Sequence, residues 1–151
     1  MEKRSTVGMD MGDKNHRICV LDGEGEVVER TTLTNTAKAM RKYFGKQSPC
    51  VVVLEAGTHS RWVSEILEEI GHEVLVGNPR KLPVIWKSDA KSDDRDAEML
   101  ARIGRLDPHL LYPIHHRGQE AQSDLAVLKA RDMLVKVRSS LIVHARGAVK
   151  T

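Results

Sequence analysis

The spacing of apolar residues changes several times along this chain, and each change marks an element. Residues 5–11 (STVGMDM), 17–22 (RICVLD) and 26–33 (EVVERTTL) are short runs rich in β-branched and apolar side chains, which predicts three strands. The DGEG between the second and third runs is a tight hairpin turn, so the three strands form an antiparallel meander. Asn35 can cap a helix in which Ala37, Met40, Arg41 and Phe44 keep helical spacing, and Gly45 ends it. Pro49 precedes a fourth strand over residues 50–54, whose uninterrupted VVVL implies burial on both faces, as in a parallel central strand. Ser60 opens a second helix with Trp62, Val63, Ile66, Leu67 and Ile70 on its inner face; after Gly71, residues 73–76 give a fifth strand.

Three antiparallel strands followed by two parallel crossovers is the order of the ribonuclease H-like fold, an α/β class with a mixed five-stranded sheet and flanking helices. Residues 77–92 form a linker containing Trp86, two prolines and the basic residues Arg80, Lys81, Lys87 and Lys91, a composition suited to touching phosphates. A helix over 93–105 follows, with Ala97, Leu100, Ala101 and Gly104 on its packing face, and then an irregular stretch over 106–118. From about Gln119 the pattern is one long helix. Its Val127, Ala130, Leu134, Val137, Leu141, His144 and Ala148 alternate steps of three and four, the seam of a coiled coil. The pattern runs to Thr151 without a cap, so the expected organisation is an α/β domain over 1–116 and the start of a helical connector over 117–151, cut within the helix.

Composition narrows the class. With 40% hydrophobic and 30% charged residues in 151, the chain can bury a core and stay soluble. Cys19 and Cys50 lack CxxC spacing, which argues against zinc and a disulfide framework and fits a reducing cytoplasm. No apolar run approaches the ~18 residues of a membrane span, and Asp10 breaks the start that a signal peptide would need. The net charge of +3 is uneven: residues 117–151 carry +4 and the remainder −1. Lys129, Arg131, Lys136 and Arg138 flank the apolar seam; their face reads either as a basic surface for nucleic acid or as a solvated helix face, and the seam as a site of self-association.

The candidate chemistry lies in four carboxylates at the ends of different elements. Asp10 and Glu55 close apolar strands; Asp93 and Asp96 sit three residues apart, hence on one helical face, while Asp94 points about 100° away. Clustered like charges stay ionised only if cations neutralise them, and oxygen ligands alone favour Mg²⁺ or Mn²⁺. Gly8 and Gly12 beside Asp10 would let a metal and a phosphate approach the strand. Two ions about 4 Å apart form the clamp used for in-line attack at phosphodiesters. Asp89 is a reserve ligand; His16 in the hairpin could touch a phosphate, and His59, four residues beyond Glu55, could approach the carboxylates.

The segments VGMDMGDKNHRICVLD, VVVLEAGTHSRWVSEILEEIGHEVLVGNP and KSDDRDAEMLARI span most of residues 6–103, and in their order and spacing the chain resembles the N-terminal DEDD domain of the insertion-sequence transposases numbered one-hundred-and-ten. The resemblance implies a RuvC-like, ribonuclease H-type fold whose D, E, D, D fall on Asp10, Glu55, Asp93 and Asp96, with Ser92 where Thr is usual. It further implies a DNA recombinase guided by a structured RNA, and a serine nucleophile in a C-terminal domain beyond Thr151, so that the fragment alone is inactive. Two other classes compete on the residues themselves. One is an actin-like or sugar-kinase ATPase fragment, for which 151 residues leave no room for a second phosphate motif and an adenosine site. The other is a non-catalytic module for nucleic-acid binding and dimerisation.

Overall fold

Five short strands carry the fold: β1 (Thr6–Met11), β2 (Asn15–Leu21), β3 (Val27–Thr34), β4 (Val51–Glu55) and β5 (Glu73–Gly77). The computed structural model describes residues 4–82, 93–116 and 118–149. Four α-helices, α1 (Ala37–Phe44), α2 (Ser60–Glu69), α3 (Asp93–Leu106) and α4 (Gln119–Val149), and a 3-10 helix at Pro108–Leu111 complete it. The sheet order is β3-β2-β1-β4-β5, with β1 antiparallel to β2, β2 antiparallel to β3, and β4 parallel to both β1 and β5. This is the mixed ribonuclease H-like arrangement that the order of elements predicts. The chain forms two compact units, residues 1–115 and residues 116–151.

Strand alternation divides the core into two layers. Val7, Met9, Ile18, Val20, Val52, Leu54 and Val76 face α1 and α2, which contribute Met40, Phe44, Val63 and Leu67. The opposite face is covered by α3: Val53 packs with Leu100 and Ile103, and Cys19 and Leu21 pack with Ala97 and Ala101. A fully buried Val, Leu or Phe contributes about 1.5–3 kcal/mol, whereas an exposed ion pair such as Arg41–Glu69 contributes about 0–1. The layers therefore hold the sheet, and the surface pairs are minor.

Local chemistry sets the ends of the elements. In the β2–β3 hairpin the Asp22 carboxylate accepts from the N–H groups of Glu24, Gly25 and Glu26 at 2.8, 2.9 and 3.0 Å, and these bonds hold it below the usual carboxylate range. Gly25 follows in the left-handed region at φ 93°, which a side chain would strain. Helix α1 is capped not by Asn35 but by Thr36, whose hydroxyl accepts from Ala39 N–H at 3.2 Å. Asn35 instead donates to the carbonyls of Asp13 and Gly12 and ties the β1–β2 turn to the end of β3. Within the stretch that reads as irregular, Asp107 caps the 3-10 helix through His109 N–H at 3.0 Å.

The buried polar groups are not all satisfied. Cys50 and His72 form an internal pair: the His72 ring nitrogen Nδ1 lies 3.2 Å from Cys50 Sγ, and Nε2 lies 3.0 Å from the Phe44 carbonyl. Burial pushes the Cys50 thiol up to about 11, so it stays protonated and structural. His16 is not an exposed hairpin residue but lies in β2 with no exposed surface, and neither ring nitrogen has a hydrogen-bond partner among the described residues.

Candidate functional site

Asp10 and Glu55 occupy the carboxyl ends of two neighbouring parallel strands. The β1–β4 register runs Gly8↔Val53 and Met9↔Leu54, so its continuation sets Asp10 beside Glu55, with the strands about 4.8 Å apart. Both residues belong to the α3 face. Gly8, two residues before Asp10, lies directly under α3, where an added Cβ would stand 1.8 Å from the Ala97 carbonyl oxygen. Val53, two residues before Glu55, lies under Gly104, whose added Cβ would stand 2.3 Å from Val53 Cγ2. Because side chains alternate along a strand, Asp10 and Glu55 share that face one repeat further on, and both are half-buried.

Helix α3 brings its own acids to the same end of the sheet. Its first turn carries Asp94, 3.8 Å from Arg17, and Arg17 is the β2 partner of Asp10. Its last turn carries Arg105, which donates to the Asp22 and Gly23 carbonyls beyond the far end of β2. The helix thus runs antiparallel to β1 and begins at the level of Asp10, with Asp93 and Asp96 in its opening turn. Asp96 is exposed; the Asp93 side chain lies outside the described residues, as do Trp86, Lys87, Asp89 and Lys91. Glu98 anchors α3 laterally, pairing with Arg30 of β3 and with Arg102 at 2.7 Å, and these partners lower its pKa, Arg30 foremost.

Among the described residues no group of three or more His, Cys, Asp and Glu is arranged to hold a metal ion. The described acids at this end, Asp10, Glu55 and Asp96, offer oxygen ligands, a set chemically suited to Mg²⁺ or Mn²⁺. The softer candidates face elsewhere or are covered: strand alternation sets the buried His16 on the face of Ile18 and Val20, toward α1 and α2, and Cys19 is buried beneath α3. The glycines flanking Asp10 have packing and turn roles of their own. Gly8 admits the α3 backbone, and Gly12 closes the β1–β2 turn, where a Cβ would stand 2.5 Å from the Asn15 carbonyl oxygen. His59 is engaged with Asp13, Nε2 to Oδ1 at 3.0 Å, while Trp62 Nε1 donates to its Nδ1 at 3.4 Å. That pair joins the β1–β2 turn to the start of α2, and no sequence spacing announces it.

The basic candidates divide by unit. Arg80 and Lys81 are exposed just after β5, and Lys81 Nζ lies 4.4 Å from the centroid of the Tyr112 ring, a residue that motif reading passes over. Lys129, Arg131, Lys136 and Arg138 are exposed on α4, where Arg131 lies 3.5 Å from Asp132.

A mixed sheet of this order, with acidic residues closing β1 and β4 and a helix laid across them, defines a ribonuclease H-like α/β domain. The family model DEDD_Tnp_IS110, described as "Transposase", matches residues 7–151, and the chain belongs to that transposase family. It is 28% identical over 144 residues to the "Probable family 20 transposase" of Pseudomonas aeruginosa, a match covering 95% of this chain and 41% of that protein. It is 25% identical over 150 residues to the "Transposase for insertion sequence element IS1111A" of Coxiella burnetii, covering 99% of this chain and 40% of that protein. The chain therefore spans about two-fifths of the length of these curated relatives. Among solved structures it is similar to the RuvC of Thermus thermophilus, with a TM-score of 0.47 and 12% identity over 68% of this chain and 96% of that one. No helix of the described residues is long and apolar enough to cross a membrane.

Proposed function

We infer that this chain is the metal-binding, RuvC-like part of a transposase that acts on DNA phosphodiesters. Asp10, Glu55, Asp93 and Asp96 would hold Mg²⁺ or Mn²⁺. The observation that carries the reading is the shared face and level of Asp10 and Glu55 at the ends of adjacent parallel strands, with the first turn of α3 beginning beside them. A bound divalent ion would supply Lewis-acid polarisation of a phosphodiester and neutralise the charge that develops there. The chain's own residues supply oxygen ligands on a rigid strand pair, and a helix held to that pair by close backbone packing. DNA is the substrate of this reading and a structured guide RNA its second nucleic-acid partner. Self-association runs through α4, and a serine nucleophile comes from a C-terminal domain. Arg80, Lys81, Lys87 and Lys91, with Lys129, Arg131, Lys136 and Arg138, are the proposed nucleic-acid contacts, and the work is done in the cytoplasm.

Two measurements test it. Asp10→Asn in the full-length transposase should abolish recombination, while retention of activity would leave the carboxylates as relics in a nucleic-acid-binding and dimerisation module, the reading that the exposed apolar surface of α4 favours. In the 151-residue chain, millimolar Mn²⁺ should raise the melting temperature by binding the native state, and Asp10→Ala should remove that rise. An unmoved melting curve, with and without nucleic acid, would sink the metal assignment.

A further inference from the structure

Tyr112 is the C-cap of the 3-10 helix, its N–H donating to the His109 carbonyl, and a tyrosine there combines three properties where glycine would serve the cap. Its backbone is left-handed, φ 47° and ψ 61°, the one non-glycine residue with positive φ among the described residues. A side chain there costs about 1 kcal/mol or more, and Gly or Asn would relax it. The ring is not used in the core: Tyr112 is 46% exposed, whereas its neighbour Leu111 is fully buried and Ile114 packs on the α1–α2 core. Finally, Lys81 lays its ammonium over one face of the ring, 4.4 Å from the centroid, and the Arg80 backbone next to it in sequence donates its N–H to Asn78 Oδ1 at 3.0 Å. A half-exposed aromatic ring with a cation over one face can take a base by stacking on its exposed surface and the adjoining phosphate by charge.

The placement relates this group to the carboxylates. Asn78 N–H donates to the Leu111 carbonyl and Ile114 N–H to the Val76 carbonyl, both at 2.9 Å, so Tyr112 lies alongside Gly77 on the outer edge of β5. Gly77 is the β5 partner of Glu55. Two strand spacings thus separate the Tyr112 backbone from that of Glu55, about 10 Å, or roughly three stacked nucleotide steps. Leu82 and Leu111, the buried neighbours of Lys81 and Tyr112, pack with Val53, Leu100 and Ile103 on the face that carries Asp10 and Glu55.

We propose that Tyr112, Lys81 and Arg80 form a binding site for one unpaired nucleotide of a strand held at the carboxylate end of the sheet. Its base stacks on the ring surface of Tyr112 that Lys81 leaves open, and its phosphate is paired by the two cations. This rests on the nucleic-acid reading above. A base within a duplex offers no free face, so the site selects unpaired nucleotides, and the shared chemistry of base and phosphate admits either DNA or RNA.

The test is fluorescence anisotropy of the 151-residue chain with labelled single-stranded DNA, the same sequence as RNA, and the matching duplex, all without divalent metal. Tyr112→Gly relaxes the backbone while removing the ring, so it should melt at or above the wild-type temperature yet bind single strands about tenfold more weakly, with duplex affinity unchanged. Tyr112→Trp should keep single-strand affinity, and Lys81→Gln should shallow its salt dependence by about one phosphate contact. Wild-type affinity in Tyr112→Gly, an equal loss for single strand and duplex, or a wild type that binds no single strand would overturn the proposal. Should Tyr112→Gly melt lower, Tyr112→Leu replaces it, and equal binding by the Leu and Trp variants would overturn the proposal as well. The DNA and RNA arms decide which strand the site takes. Because no metal and no cleavage enter the readout, an inactive carboxylate site would leave this result standing, and loss of the stacking site would leave the carboxylate reading to its own test.

Discussion

His16 shows how one buried group writes pH dependence into the fold. Burial lowers its pKa, outweighing the opposing pull of the Asn35 side chain, and the neighbouring His59, itself paired with Asp13, lowers it further. The folded value lies below the unfolded one, near 6.5, so the unfolded chain binds the proton more readily. Stability is therefore fully present above pH 6.5 and lost as the pH falls through the folded value, at up to about 1.4 kcal/mol per pH unit. Urea midpoints measured from pH 7.5 down to 4.5 should fall more steeply for the wild type than for His16→Leu; parallel profiles would mean that His16 carries no share of the acid loss. The sequence placed His16 beside a turn but not its ring, because burial of a polar residue inside a strand leaves no mark in the spacing of its neighbours. The place of Glu55 in the fold was easier to read: the apolar VVVL run that it closes is a local signal of the strand β4.

At the scale of elements, the seating of α3 on β1 decides where the acids stand. The Gly8 backbone approaches the Ala97 and Ala101 backbone so closely that an added methyl carbon would lie 1.8 Å from one and 2.6 Å from the other. Neither atom belongs to a flexible side chain, so Gly8→Ala must lift the helix. Overpacking of this kind costs about 3 kcal/mol, a large share of the 5–15 kcal/mol typical of a domain. Urea unfolding should show a markedly lower midpoint for Gly8→Ala, and an unchanged midpoint would mean that α3 seats differently. The strands and helices themselves were legible because β-branched runs and helical spacing are local signals. The use of Gly8 was not: a glycine beside an acid reads equally as room for a phosphate, and only the partner across the sheet distinguishes the two. Thr36 took the cap from Asn35 for a related reason, since Asn35 has a competing pair of carbonyls in the β1–β2 turn.

For the whole molecule, α4 poses a solubility problem that its sequence states openly. Val127 is 69% exposed, Leu134 70% and Leu141 63%, far more apolar surface than a lone helix retains without a partner. The chain should self-associate through this seam, and Leu134→Glu with Leu141→Glu should yield monomer by light scattering while residues 1–115 keep their near-ultraviolet dichroism. A double variant that scatters like the wild type would exclude the seam as the interface. Within residues 1–115, the main-chain contact at Gly8 fixes a distance much as a keyway fixes a shaft. Strand and helix meet through atoms that cannot rotate out of the way, so the spacing between their two backbones is set by hard contact and not by the charges they carry. Replacing Asp10 with its amide then subtracts charge while the main-chain contact that seats α3 stays in place. A difference between the two chains in melting temperature then reports the charge and hydrogen bonding of one side chain on a strand and helix whose seating is unchanged.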